Sequence, residues 1–384
     1  MIYISNKAEC TGCSACASVC PQKCISMEMD SEGFLYPKVD IQHCISCDLC
    51  GRICPVHFPA MIKQKPLKTL AAISNNSLVR FKSSSGGIFS LLSNIIIEDG
   101  GEIWGASFDA EWRVVHQCVQ DKNELEIFRG AKYLQSDVRC SFGKIEYSLK
   151  KGKLVLFSGT PCQVAGLKKF LRREYNNLYT VDIVCHGVPS FKVFNAFLKE
   201  KFGEKQIVDI SFRDKTTGWK SYNLCVKYLE NGVVKEERYL RENNVYMNSF
   251  ISNLYLRPSC YQCPSKCGVS GSDITLGDFW GIEKAAPEMD DGKGTSLVLL
   301  NTFKGEDIFN MIKPFVFCKE LPYDIAVQGN VSLEISSRMN PWRKIFFKDI
   351  EYKAFSILVR SFDNPSLLLR LRRKIYDVIE KYGK

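Results

Sequence analysis

The sequence contains no uninterrupted apolar run long enough to cross a membrane. Its longest apolar stretch, residues 88–97, is broken by two serines and an asparagine, whereas a spanning helix needs about 20 predominantly apolar residues. We also expect no signal peptide, since Met1 leads directly into Ile-Tyr-Ile-Ser-Asn-Lys. We therefore expect no transmembrane segment and a cytoplasmic location.

The cysteines do not have the distribution of a disulfide framework. A small secreted chain with 18 cysteines would need one, but this chain has 384 residues and its cysteines are clustered at short spacings. Such clusters are typical of metal or cluster binding in a reducing compartment.

Composition argues against both disorder and nucleic-acid binding. The chain is 45% hydrophobic and 24% charged, as in ordinary globular proteins, and its length suggests two or three domains. The net charge is +10, and residues 331–384 hold 12 Lys and Arg against 6 Asp and Glu. No nucleic-acid motif accompanies this basic tail, so we interpret it as solvated helices and expect no nucleic-acid partner.

The first 58 residues contain an internal cysteine repeat that predicts a small α+β bacterial-type ferredoxin domain. Residues 10–21 and 44–55 both read C-x2-C-x2-C-x3-C-P, in which three thiolates wrap one 4Fe-4S cube and the fourth reaches the other. Zinc is the alternative, but zinc sites rarely use two interleaved runs of this kind. Cys24 lies outside both runs and is expected to be buried, not a ligand. The predicted sets are Cys10, Cys13, Cys16 and Cys54 for one cluster, and Cys44, Cys47, Cys50 and Cys20 for the other.

From residue 70 onward, apolar strand-like runs alternate with helical patterns, which favours an α/β domain with a largely parallel sheet. Strands are predicted at 102–108, 153–157, 179–184, 207–212 and 296–301, and helices at 87–98, 162–173 and 191–202. Two helical stretches are predicted after Pro341, the last at 366–382. We predict a ferredoxin-type domain at 1–58, a linker at 59–69, the α/β domain at 70–330 and a basic helical extension at 331–384.

Two cysteines are predicted to meet at one edge of the sheet. Cys162 opens a helix after Thr160, a suitable cap, and Pro161, which suits the first helical turn. We expect this position to lower the pKa of the Cys162 thiol. Cys185 follows the next predicted strand, and parallel strands joined by one crossover would bring both thiols to the same carboxyl edge.

A third cluster is one of three interpretations of these thiols. Cys260 and Cys263 form a close pair that could complete a four-thiolate site with Cys162 and Cys185. The alternatives are that Cys162 acts as a nucleophile with His186 as its base, or that the four thiols are unrelated and buried.

Six motifs between residues 84 and 281 carry a resemblance to a known family. They are Ser84-Ser-Gly-Gly-Ile-Phe89, Lys132-Tyr-Leu-Gln-Ser136, Ser158-Gly-Thr-Pro-Cys162-Gln, Asp182-Ile-Val-Cys185-His-Gly-Val-Pro, Cys260-x2-Cys263 and Ser272-Asp-Ile-Thr-Leu-Gly-Asp-Phe-Trp-Gly281. With the ferredoxin block, the sequence resembles the beta subunits of coenzyme F420 hydrogenases and dehydrogenases, including the plant 7-hydroxymethyl chlorophyll a reductase branch. The resemblance implies a domain that binds FAD beside a 4Fe-4S cluster with ligands Cys162, Cys185, Cys260 and Cys263.

The resemblance also implies a set of FAD contacts. Paired glycines before a helix let backbone amides approach a pyrophosphate, a lysine neutralises phosphate, and a glutamine can bond a polar ring edge. Cys267 is then supernumerary, and Cys118, Cys140, Cys225 and Cys318 are expected only to pack. The implied FAD contacts are Ser85, Gly86, Gly87, Lys132, Tyr133, Gln135, Ser136, Thr160, Gln163, Asp278 and Trp280.

The resulting hypothesis is an iron-sulfur flavoprotein oxidoreductase. FAD would exchange electron pairs with a small-molecule substrate, F420-like or other, and three 4Fe-4S clusters would carry single electrons to or from a partner redox protein. One alternative is an electron-transfer adaptor without substrate chemistry, serving a separate enzyme. A zinc-stapled binding protein is a second alternative and would be colourless.

Overall fold

The computed structural model describes residues 1–59, 63–138 and 140–382, so part of the predicted linker at 59–69 lies outside the described residues. The N-terminal block contains a hairpin of β1 (Ile25–Met29) and β2 (Leu35–Val39) and two short helices, α1 (Ala15–Val19) and α2 (Leu49–Arg52). Its two cysteine runs share a backbone path, because Gly12 and Ser46, and likewise Ser14 and Asp48, have positive φ at equivalent positions. The sequence repeat is therefore also a structural repeat.

Eleven further strands follow. They are β3 (Lys68–Ser74), β4 (Glu102–Phe108), β5 (Val114–Val119), β6 (Val155–Gly159), β7 (Leu178–Ile183), β8 (Gln206–Asp214), β9 (Asn223–Glu230), β10 (Val233–Leu240), β11 (Ile274–Asp278), β12 (Ser296–Leu300) and β13 (Val316–Glu320). Eight of them form one sheet in the order β13-β3-β12-β11-β7-β6-β4-β5.

The centre of this sheet is parallel. Strands β11, β7, β6 and β4 are parallel neighbours, β3 runs in the same direction, and β5, β12 and β13 run in the opposite one. The prediction of an α/β fold with a largely parallel sheet is thus confirmed at this coarse level. The structure adds the antiparallel strands β13 and β5 at the two ends and β12 between β3 and β11, and of these the sequence patterns predicted only β12.

Strand β8 does not belong to the central sheet. Residues 207–212 do form a strand, but it pairs with β9, and β9 with β10, in a separate three-stranded antiparallel sheet. Asn231 and Gly232, both with positive φ, form the two-residue turn between β9 and β10. An Asn-Gly turn of this kind favours a hairpin over a parallel crossover.

The helices after α2 surround these sheets. They are α3 (Ser77–Lys82), α4 (Ile88–Glu98), α5 (Ser141–Lys150), α6 (Pro161–Leu171), α7 (Phe191–Phe202), α8 (Val245–Ile251), α9 (Ile282–Ala285), α10 (Phe303–Ile312), α11 (Tyr323–Gly329), α12 (Arg343–Asp349), α13 (Phe355–Asp363) and α14 (Leu367–Tyr382). Three helices therefore follow Pro341, where two were predicted. Phe355 of α13 packs with Phe197 of α7 and Tyr246 of α8, so the C-terminal segment closes an aromatic core.

The N-terminal block shares a core with the second part of the chain. Val19 and Ile53 belong to the same buried cluster as Phe142, Phe157 and Phe170 from α5, β6 and α6. This packing places the cysteine repeat against the helix that begins near Cys162. No helix in the described part of the chain is long and apolar enough to cross a membrane.

Candidate iron-sulfur and flavin sites

The eight cysteines of the repeat line two cavities in the predicted interleaved sets. Cys54 from the second run joins Cys10, Cys13 and Cys16 around a cavity of about 350 Å³, which we call the inner cavity. Cys20 from the first run joins Cys44, Cys47 and Cys50 around a cavity of about 330 Å³, which we call the outer cavity. The similar volumes and the exchange of the fourth thiol fit two similar cubes.

The thiols of the inner cavity are buried close to one another. Burial, with smaller contributions from neighbouring thiols such as Cys10 and Cys54, raises the pKa of Cys13 to about 12. The pKa of Cys16 is raised for the same reason. Closely packed thiols do not ionise together without cations between them, so this donor set fits a cluster whose iron replaces the thiol protons.

Cys24 is closer to the outer cavity than its position outside the motif suggests. It lines this cavity, and its sulfur lies 3.4 Å from that of Cys20. Cys24 is buried, as expected, and that it is not a ligand remains a prediction.

The structure brings Cys162, Cys185, Cys260 and Cys263 to the wall of one cavity of about 810 Å³, which we call the central cavity. Cys162 stands at the start of α6 and Cys185 follows β7, whereas Cys260 lies within a short 3-10 turn at 258–262 and Cys263 directly follows it. Strands β6 and β7 are parallel neighbours, as the shared edge requires. Four thiols separated by about a hundred residues therefore meet at the carboxyl edge of the sheet.

The local backbone holds this arrangement. Gln163 accepts a bond from the Thr160 amide in a capping box, and Pro161 occupies the first helical turn, as predicted. Near the other cysteines, the Val188 amide donates to the sulfur of Cys260 at 3.4 Å. Such backbone bonds fix the direction of a thiolate ligand.

The expected lowering of the Cys162 pKa is wrong. Burial raises its pKa to about 11, and that of Cys260 to about 12, because the low-dielectric surroundings disfavour thiolates. The sulfur of Cys162 forms a hydrogen bond with the Thr160 hydroxyl at 3.2 Å, whereas the His186 ring packs edge-on against Phe250. These contacts favour a shared ligand set over a cysteine nucleophile activated by His186.

The inner and central cavities are neighbours. Thr11 lines both of them. Helix α6 passes the inner set so closely that a Cβ on Gly166 would lie 2.9 Å from the Cβ of Cys13. The outer cavity is at the surface, where Cys47 is exposed.

Several of the implied FAD contacts gather around Arg213, a buried residue that no sequence motif singles out. Its guanidinium donates to Asp278 at 2.8 Å and to the Tyr133 hydroxyl at 3.3 Å. Trp219 donates to the same carboxylate at 3.1 Å and stacks on Trp280. We call these five residues the Arg213 group.

The glycine turn and Lys132 have features that suit a phosphate. A Cβ on Gly86 would lie 2.3 Å from the Ala72 carbonyl oxygen, and Gly87 has φ +90°, so neither tolerates a side chain. Burial lowers the pKa of Lys132 to about 8, and its amine donates to the Arg129 and Gly130 carbonyls. The buried Ser85 hydroxyl and Arg213 Nε have no hydrogen-bond partner among the described residues. These unused polar groups fit an anionic, polar cofactor such as FAD.

Four other implied contacts face the iron-sulfur side of the molecule. Gln135 donates to the Thr11 carbonyl at 3.1 Å, and Ser136 pairs with His116 at 2.6 Å. Gln163 accepts a hydrogen bond from the Thr160 amide through Oε1 and donates one to the Ser136 carbonyl through Nε2. These side chains have structural partners already, so their assignment as FAD contacts remains a prediction.

Comparison with known proteins identifies both parts of the chain. Residues 152–319 match the family described as the C terminus of the coenzyme F420 hydrogenase/dehydrogenase beta subunit, and residues 9–58 match the 4Fe-4S dicluster domain. Residues 152–319 are therefore similar to this beta-subunit family, and residues 9–58 to the dicluster domain. The family resemblance and the dicluster prediction are both confirmed, and they support an iron-sulfur oxidoreductase role for the chain.

Individual relatives are distant. A component of the F420H2 dehydrogenase of Methanosarcina mazei is 24% identical over 79% of this chain and 82% of its own length. The coenzyme F420-dependent sulfite reductase of Methanocaldococcus jannaschii is 20% identical over 81% of this chain, which spans only 47% of that protein. One polypeptide of the F420-reducing NiFe hydrogenase complex of Methanosarcina barkeri aligns over 78% of this chain and 95% of its own, with 17% identity and a TM-score of 0.47.

Proposed function

We propose that this protein is an iron-sulfur flavoprotein oxidoreductase. It transfers electrons between an organic two-electron substrate, F420-like or other, at FAD and a one-electron partner protein, through three 4Fe-4S clusters. FAD supplies the exchange between electron pairs and single electrons. The protein supplies the ligands, their spacing and the separation of the two ends.

The observation that carries this proposal is the central cavity. Four of its cysteines, the predicted ligands, come from three separate segments, and the family motifs that contain them are the ones for which a cluster is expected. Its position beside the inner cavity continues the pair of ferredoxin sites into the second part of the chain. Four unrelated thiols would have no reason to meet at that place.

The positions of the three cavities give the proposed electron-transfer route an order. The central cavity lies at the sheet edge, the inner cavity lies next to it, and the outer cavity with exposed Cys47 lies at the surface. We therefore assign the outer cluster to exchange with the partner protein. We assign the Arg213 group and the Gly86 turn to binding the flavin.

The organic substrate is proposed from the family alone. Two relatives are named for F420 or its reduced form, and the deazaflavin is a two-electron carrier of the kind that FAD can oxidise or reduce. Another two-electron molecule of similar chemistry would serve the same site.

The test separates an oxidoreductase from an adaptor. Protein purified without oxygen is mixed with reduced F420 and a one-electron viologen dye, and dye reduction is followed by absorbance. Catalytic dye reduction supports the proposal, with heat-treated protein as the control. A protein that accepts electrons from dithionite but neither oxidises nor reduces F420 or other two-electron carriers would be an adaptor.

A further inference from the structure

Arg257 is fully buried between the inner and central cavities. Its Nε donates to the Cys10 carbonyl at 2.8 Å, and its Nη2 donates to the Leu35 carbonyl at 2.9 Å and approaches the Cys10 sulfur at 3.6 Å. Its Nη1 donates to Gln135 Oε1 at 2.9 Å. The guanidinium also lies over the Tyr36 ring, 4.3 Å from its centre. Each of these contacts holds the charge in one place.

The charge of Arg257 has no carboxylate partner among the described residues. Its acceptors are two carbonyls, one amide oxygen and a sulfur. The nearby buried Arg343, in contrast, forms a two-pronged ion pair with Glu32. An unpaired buried charge is costly, so the balancing anion of Arg257 must come from the thiolates around it.

Two sets of thiolates are in reach. Arg257 touches Cys10 of the inner set, and it also lines the central cavity with Cys162 and Cys260. Gly12, with φ +70°, leaves the space for it, since a Cβ there would lie 2.8 Å from Nη1. The absence of a side chain at Gly12 thus leaves space for the Arg257 guanidinium between the two proposed cluster sites.

We propose that Arg257 is the fixed counter-charge of the inner and central clusters and that it raises their reduction potentials. This inference rests on the proposed function. When a cube accepts one electron, the cluster and its thiolates become more negative by one charge. A cation held at Cys10 stabilises that reduced form more than the oxidised form, because charges interact strongly in a poorly solvated interior.

The test measures reduction potentials by EPR in samples poised with mediator dyes. In Arg257→Gln, we expect the reduction potentials of the inner and central clusters to fall by at least about 59 mV. This shift corresponds to a tenfold decrease in the equilibrium constant for one-electron reduction. Arg257→Lys keeps the positive charge but loses the planar guanidinium group, so it should shift these potentials less. The outer cluster is the internal control, and its reduction potential should not change.

A second variant removes the effect of the charge while keeping the arginine. Gln135→Glu places a carboxylate on Nη1 with little change in shape, so it should lower the same potentials even if Arg257→Gln loses iron. Arg343→Gln is the matched control, because it removes a buried arginine that already has an acidic partner. It should leave all cluster potentials unchanged.

The outcomes separate this inference from the proposed function. Wild-type potentials in an iron-replete Gln135→Glu or Arg257→Gln protein would overturn the role of Arg257. A shift of equal size in Arg343→Gln would also overturn it, since the effect would then be general. If the wild type has no central cluster, the proposed function fails, while the inner cluster still tests Arg257.

Discussion

The inner and outer cavities come from two copies of one cysteine motif, yet their surroundings differ. The inner set includes buried Cys13 and faces α6 and the central cavity, whereas the outer set includes exposed Cys47 and faces solvent. The motif therefore determines which thiols share a cube. In the proposed route, the packing of the rest of the chain would determine which cube continues towards the flavin and which one meets a partner.

The largest effect is expected from Cys162→Ser, which interrupts the proposed electron route between the flavin and the inner cluster. Serine is a poor iron ligand here, so the central cluster should be lost while the clusters at residues 10–54 keep their own thiolates. In stopped-flow experiments from the flavin side, the flavin should become reduced with slow or absent bleaching of the ferredoxin clusters. Cys225→Ser, a buried cysteine of β9 outside all three cavities, is the control.

An unchanged rate of cluster bleaching in Cys162→Ser would show that this residue is not a ligand on the route. The nucleophile hypothesis, with His186 as base, would then return.

The next effect concerns the exchange of the fourth ligand. Cys20 follows the first three cysteines in sequence but lines the outer cavity. Cys20→Ser should therefore weaken the cluster of Cys44, Cys47 and Cys50 and leave the inner one intact. EPR of the reduced protein measures which signal is lost, and loss of the inner signal alone would show that the two sets are not interleaved.

A smaller effect is expected where α6 meets the inner set. In Gly166→Ala, the new Cβ would crowd Cys13 at 2.9 Å, and crowding of this kind costs about 1–3 kcal/mol. We expect a lower melting temperature and faster iron loss to a chelator. Gly143→Ala in α5 is the matched control, because nothing lies within 4 Å of its Cβ and alanine stabilises a helix by up to about 1 kcal/mol.

If both alanine variants behave alike, the close contact between α6 and the inner set does not constrain the cluster.

The smallest effect is expected from the two cysteines outside the ligand sets. Cys24→Ala and Cys267→Ala should keep the full iron content, although each lines a cavity. Iron analysis after purification without oxygen measures this. The loss of a whole cluster from either variant would require a new ligand assignment.

How much could be predicted depended on the distance between partners in the sequence. The grouping of the repeat cysteines around two cavities follows from local spacing, and β4 and α7 follow from local periodicity. The hairpin of β9 and β10 also has a local signal in Asn231-Gly232, because this pair of residues favours a two-residue antiparallel turn. The raised pKa of Cys162 could not be predicted, because it results from burial under distant segments.

The same limit explains why two buried arginines were not among the predicted site residues. Arg257 stands beside the Cys260 motif, but an arginine in a sequence is normally assigned to the surface. Only the fold shows that its partners are Cys10, Leu35 and Gln135. Arg213 was missed for the same reason, since its partners Tyr133 and Asp278 come from other strands and loops.

The most direct test of the proposed electron route is metal and flavin analysis of the protein purified without oxygen. We predict a brown protein with about 12 irons in three cubes and one FAD per chain. About eight irons with flavin present would remove the central cluster and leave the ferredoxin sites. A colourless protein that contains zinc in place of iron would contradict the proposed route entirely.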